Sequence, residues 1–169
     1  MEKVKTGISK MTQPTELPQQ RPISLNDLYS VERLDGFSRI EIVDSEWYLT
    51  ETDYYRQPDF RASLVQTKLL VMLSTHARMK QLGKVVSGSL GFVLEGNDKD
   101  IKLLRRSDLA FIDRDRLATN HFEPFYSAPD LSVYILNEKI TRGMTKRIKD
   151  FLKHGTQQVW LVSVDQEQI

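Results

Sequence analysis

Residues 105–113 read RRSDLAFID and residues 129–136 read PDLSVYIL, and how these two runs pair decides the fold. Each is a short apolar run rich in β-branched or aromatic residues and opened by polar or turn-forming residues, the pattern of a buried strand. If they pair antiparallel, Asp108 near the start of the first lies beside Tyr134 near the end of the second. Asp130 shares a face with Tyr134 by the period of two, but at about 3.3 Å per residue it lies roughly 13 Å back along the strand. It is therefore expected to serve as a strand-start or turn residue rather than beside Asp108.

Outward from this pair the chain alternates strands and helices. Residues 84–113 predict three strands with turns at Ser87-Gly88-Ser89 and Gly96-Asn97-Asp98. Before them, Leu64, Val65, Leu69, Met72 and Leu73 recur at helical spacing, which predicts a helix over 62–82 with Gly83 as its C-cap. The run RIEIVDSEWYLTE predicts a hairpin about Asp44-Ser45, and SLND predicts a short helix capped by Ser24 and Asp27 that ends near Leu34 and Gly36. After residues 129–136 come a helix from about Glu138 to His154, closed by Gly155, and the strand QQVWLVSV. The expected architecture is α/β, a central mixed β-sheet flanked by helices, with a β–β–α–β unit at its end.

The first 22 residues, with Pro14, Pro18 and Pro22 and no sustained period, are expected to form a flexible arm before a single domain over 23–169. The loop 114–129 holds His121, Phe122, Phe125 and Tyr126, and its aromatics are expected to cover a sheet end.

The 169 residues are enough for one domain that buries about two-thirds of its unfolded surface. Without cysteine there is no disulfide framework and no thiolate metal site. His76, His121 and His154 share no ligand spacing, which argues against zinc. No run has the length of a signal peptide core or a membrane span, so a cytoplasmic protein without membrane partners is expected.

The formal net charge of +1 conceals a segregation. From Arg61 to Leu94 there is no Asp or Glu, while Arg61, Lys68, Arg78, Lys80 and Lys84 fall there. Such a stretch is either a face for polyanions or an ordinary solvated surface. On a wheel of about 100° per residue, the helix near the C-terminus gathers Ile140, Met144, Ile148, Phe151 and Leu152 on one side. Arg142, Lys146, Lys149 and Lys153 gather opposite them, and Arg147 falls at the border of the apolar stripe, aimed toward the strand ends.

From about Ser24 to Val164 the chain resembles the Uma-two family of putative restriction endonucleases, bacterial proteins with the PD-(D/E)XK nuclease fold. The resemblance rests on IEIVDSEW, RRSDLAFI, PDLSVYILNE, RIKDFLKHG and QVWLVSV in that order and spacing. It implies a restriction-endonuclease-like core, DNA as substrate and Mg²⁺ as cofactor if the site is active. It places the site acids at Glu41 and Asp108, a tyrosine, Tyr134, where the family has glutamate, and Arg147 where the family has lysine.

These departures fall on the chemistry. Mg²⁺ takes hard oxygen ligands, and a phenol with a reference pKa near 10 is a poor one. A guanidinium grips phosphate but does not exchange a proton. Glu138 stands four residues beyond Tyr134 and past the strand end, a poor substitute. The expectation is a degenerate nuclease site that binds at most a weak ion through Glu41 and Asp108 and retains nucleic-acid or partner binding. Lys68, Arg105, Arg142, Lys146, Lys149 and Lys153 are the expected phosphate contacts. Two alternatives stand beside it: an active Mg²⁺-dependent DNA endonuclease using Glu41, Asp108 and Arg147, and a non-catalytic scaffold or subunit, a homodimer included.

Overall fold

The structure is a computed structural model and describes residues 22–35, 40–48, 60–88, 90–117, 125–136 and 140–164. The expected arm at residues 1–22 lies outside them save for its last residue, as do His121 and Phe122.

Helix α1 (Leu25–Asp35) begins as its sequence indicates. Ser24 Oγ accepts from the Asp27 amide at 3.2 Å and an Asp27 carboxylate oxygen accepts from the Ser24 amide at 3.0 Å. This reciprocal box satisfies two donors that a helix start leaves without partners. Strands β1 (Glu41–Val43) and β2 (Glu46–Tyr48) form the expected hairpin. Asp44 and Ser45 both take positive φ, 54° and 63°, the backbone a two-residue turn needs to match strand twist.

Helix α2 (Phe60–Met79) is followed by β3 (Gly83–Ser87), β4 (Gly91–Asn97), β5 (Asp100–Arg106) and β6 (Leu109–Asp113). Two expectations need correction here. Gly83 does not cap the helix. Gln81 takes the left-handed position, at φ 54°, and the Leu82 amide reaches back to the Ala77 carbonyl at 2.9 Å. Gly83 instead opens β3, where a Cβ would lie 2.1 Å from the Ile112 carbonyl oxygen. Nor are there three strands over 84–113, but four, because the chain breaks at Ser107-Asp108 between β5 and β6.

That break divides the expected single sheet into two. The first sheet, ordered β2-β1-β5-β4, is antiparallel throughout. The second is mixed: β3, β6 and β7 (Leu131–Leu136) are antiparallel neighbours, and β8 (Gln158–Ser163) runs parallel to β7. Between β6 and β7 lies the single-turn helix α3 (Arg114–Leu117), and between β7 and β8 lies α4 (Arg142–Lys153), the crossover that a parallel pair requires. Thr141 caps α4 by accepting from the Met144 amide at 3.2 Å, so the helix starts four residues later than expected and leaves Ile140 before it, exposed. Its far end closes as expected: Gly155 is at φ 103° and the Thr156 amide donates to the Phe151 carbonyl at 3.0 Å.

Period-two alternation gives the second sheet two buried faces. Ala110, Ile112 and Tyr134 turn toward α4 and pack with Met144, Phe151, Phe92 and Phe125. Leu109, Val133 and Ile135 turn the other way, onto Ala62, Val65 and Leu69 of α2. Burying a side chain such as Phe151 fully contributes about 1.5–3 kcal/mol. The first sheet keeps its own core, in which Ile42, Val93, Ile101 and Leu104 meet Leu28 of α1 and Ile23. Phe125 joins the two, buried against Phe92 with its backbone bonded to Gly91 and Val93 of β4. The expected sheet cover by the 114–129 loop therefore holds at Phe125.

Candidate functional site

The site expected around Asp108 lies where the two sheets part. Register brings its first pair together: Ile42 of β1 faces Leu104 of β5, so Glu41 stands opposite Arg105 on the same face. Helix α4 supplies the second pair, Arg147 and Asp150, three residues apart and therefore on one side of the helix. One Glu41 oxygen accepts from Arg105 at 2.7 Å and from Arg147 Nε at 2.8 Å. The other accepts from the Arg106 backbone amide at 3.0 Å. Arg105 in turn donates from Nε to Asp150 at 2.8 Å, with a second donor of its fork on the same oxygen. The result is an alternating chain of charge, Arg147–Glu41–Arg105–Asp150, with Arg105 fully buried, Glu41 and Arg147 nearly so, and the Tyr48 ring 5.4 Å from the Arg105 guanidinium. Two cations against two anions leave it neutral, a condition for burying ions at tolerable cost.

Asp108 and Tyr134 lie side by side, as antiparallel pairing of the two strands requires. Asp108 is buried, and its Oδ2 accepts from the Ile135 amide at 2.8 Å while its own amide donates to the Val133 carbonyl at 3.1 Å. The carboxylate thus continues the β6–β7 ladder one step before the first residue of β6. Tyr134 is also buried and donates its hydroxyl to the Arg106 carbonyl at 2.8 Å. Burial first, and the Glu41 carboxylate second, push its phenol well above the usual tyrosine range, so it is neutral at any physiological pH.

These residues do not fit a divalent cation. Glu41 accepts three hydrogen bonds, two of them from cations that would repel a metal ion. The phenol is a protonated donor committed to a carbonyl, and Asp108 spends an oxygen on a strand amide. Among the described residues no three His, Asp or Glu side chains cluster as ligands. Asp130, judged too distant by strand geometry, accepts instead from the Asp113 amide and from Arg116, each at 2.8 Å.

The expected phosphate contacts do not share one surface. Arg105 is buried in the ionic chain, which takes it out of that role. Arg142, Lys146, Lys149 and Lys153 line the outer face of α4, with Lys146 3.5 Å from Asp44 and Lys153 3.6 Å from Glu95. Lys68 is exposed on α2, across the second sheet from α4.

Sequence reasoning missed Asp150. Its signal is the i, i+3 spacing from Arg147, which places an acid beside the same apolar stripe border. Arg105 also gave a signal, since an arginine at an alternating strand position opposite Glu41 needs a buried acceptor; the β1–β5 register that sets them opposite is a tertiary fact.

The comparisons agree with this architecture. The crystal structure of a putative nuclease belonging to DUF820 from Anabaena variabilis superposes with a TM-score of 0.61 at 20% identity, covering 84% of this chain and 74% of that one. At that identity the likeness speaks for the fold. No curated protein matches. The family model named Uma2, described as putative restriction endonuclease, matches residues 55–169, well over half the chain. The chain belongs to the Uma2 family.

Proposed function

We propose that this protein is a nuclease-family member in which Mg²⁺-dependent DNA cleavage is lost or strongly weakened, and which retains nucleic-acid binding through the outer face of α4. The observation that carries the reading is the occupation of Glu41: Arg105 and Arg147 sit on the carboxylate that a metal ion would need. Tyr134 supports it, because a buried neutral phenol offers no anionic oxygen to a hard cation. Arg147, held by Glu41, anchors the helix rather than handling a proton.

Purified protein with plasmid DNA and Mg²⁺ or Mn²⁺ tests the first half. The expected result is no metal-dependent nicking. Nicking that EDTA abolishes and that Asp108→Asn removes would overturn it; the asparagine keeps an acceptor for the Ile135 amide, so the fold is not the variable. For the second half, duplex affinity should fall steeply with salt, and Arg142→Ala or Lys149→Ala should each lower the slope by about one.

A second reading, a scaffold without a nucleic-acid role, draws on the acids beside Lys146 and Lys153, which offset half of the cations on that face. A flat salt response favours it.

A further inference from the structure

Helix α2 buries one side on the second sheet and presents the other, and the exposed side is unusually apolar. Phe60 is 77% exposed, Met79 74%, Met72 67% and Val71 58%. At about 100° per residue these fall within a sector of roughly 120°, opposite the buried Ala62 and Ala77 and the half-buried Leu69. Arg61, Lys68 and Arg78 lie inside the same sector, and no acid occurs from Arg61 to Leu94. Isolated exposed apolar residues need no explanation, but four large ones sharing one side of a 20-residue helix do.

We propose that the outer face of α2 is a docking surface for an acidic amphipathic helix of a protein partner. Charge decides among the occupants. A second copy packing α2 on α2 would set Lys68 and Arg78 against their own kind, with no acid in the helix to pair them. A lipid surface wants its cations on the polar side of the helix, whereas here Lys68 stands among the apolar side chains and flat insertion would bury it. DNA would leave Phe60 and the methionines against phosphate. A partner helix with leucines at i, i+3 or i+4 and i+7 and glutamates between them satisfies both halves: its apolar side chains fill the adaptable Met72–Met79 surface, and its carboxylates meet Lys68 and Arg78.

The test uses the full chain and a fluorescein-labelled 20-residue helical peptide of leucine and glutamate in that spacing, read by anisotropy. Its counterpart carries lysine for every glutamate. Binding of the acidic peptide alone, weakened about tenfold or more by Met72→Glu and by Lys68→Glu, is the expected result. Both positions are solvent-exposed, so circular dichroism of the variants should match the parent. Failure of the acidic peptide to bind, equal binding of both peptides, or affinity unchanged in the variants would overturn the proposal. So would co-sedimentation with phosphatidylglycerol vesicles that Met72→Glu abolishes, or a dimer in sedimentation velocity that the same substitution dissociates. Plasmid cleavage plays no part in these readouts, so they stand or fall separately from the proposal for α4.

Discussion

Glu41 is the residue on which the buried ionic chain turns. It was singled out only through family resemblance, since a single acid in an acid-rich stretch announces nothing, and in the structure it is the shared counter-ion of two buried guanidinium groups. Removing one partner of a buried pair costs more than the pair contributes, because the survivors stay buried without compensation. Glu41→Ala is therefore expected to destabilise the protein by about 3–5 kcal/mol, read as a shift of the urea midpoint at constant slope. Combining it with Arg147→Met should recover part of the loss, since one uncompensated cation then leaves with the anion. A cost below about 1 kcal/mol for the single change would mean that the ionic chain does not hold these elements together.

Elements were legible where their signals are local. The capping box at Ser24 and Asp27, the hairpin at Asp44-Ser45 and the closing glycine at Gly155 all depend on residues within one turn of each other, and all hold. The break between β5 and β6 was not legible, because no glycine or proline marks Ser107-Asp108; the Asp108 side chain replaces a main-chain acceptor there, and that requires the neighbouring strand. Gly83 misled for a related reason. Its glycine is demanded by the close approach of β6 in the tertiary fold, not by the helix end that precedes it in sequence. Gly83→Ala should accordingly cost about 1–3 kcal/mol through strain of the β3–β6 pairing, with helix content by circular dichroism preserved. If alanine were tolerated without loss of thermal stability, the close contact would not be what keeps glycine at this position.

At the scale of the molecule, α4 joins what the break at Ser107-Asp108 separates. Met144 and Phe151 pack it on the second sheet, while Arg147 and Asp150 bind Glu41 and Arg105 of the first. The order of the longer strands and helices was readable in advance, apart from the β5–β6 break and the single turn α3; the division into two sheets was not, because partners such as Ile42 and Leu104 are distant in sequence. A metal ion between Glu41 and Asp108 would tie β1 to the start of β6. Here those carboxylates bond otherwise, Glu41 to two arginines and Asp108 to the Ile135 amide, and under the proposed function no cation contributes to cohesion between the sheets. Thermal unfolding should consequently be insensitive to Mg²⁺, Mn²⁺ or EDTA. The expectation is sharp, because an ion bound at a hundred times its dissociation constant adds about 2.7 kcal/mol. For a chain of this size that corresponds to a rise in Tm of roughly 5–10 °C. A rise of that order with Mn²⁺, lost in Asp108→Asn, would show that the ion displaces Arg147 from Glu41 and would return the protein to the metal-dependent nucleases.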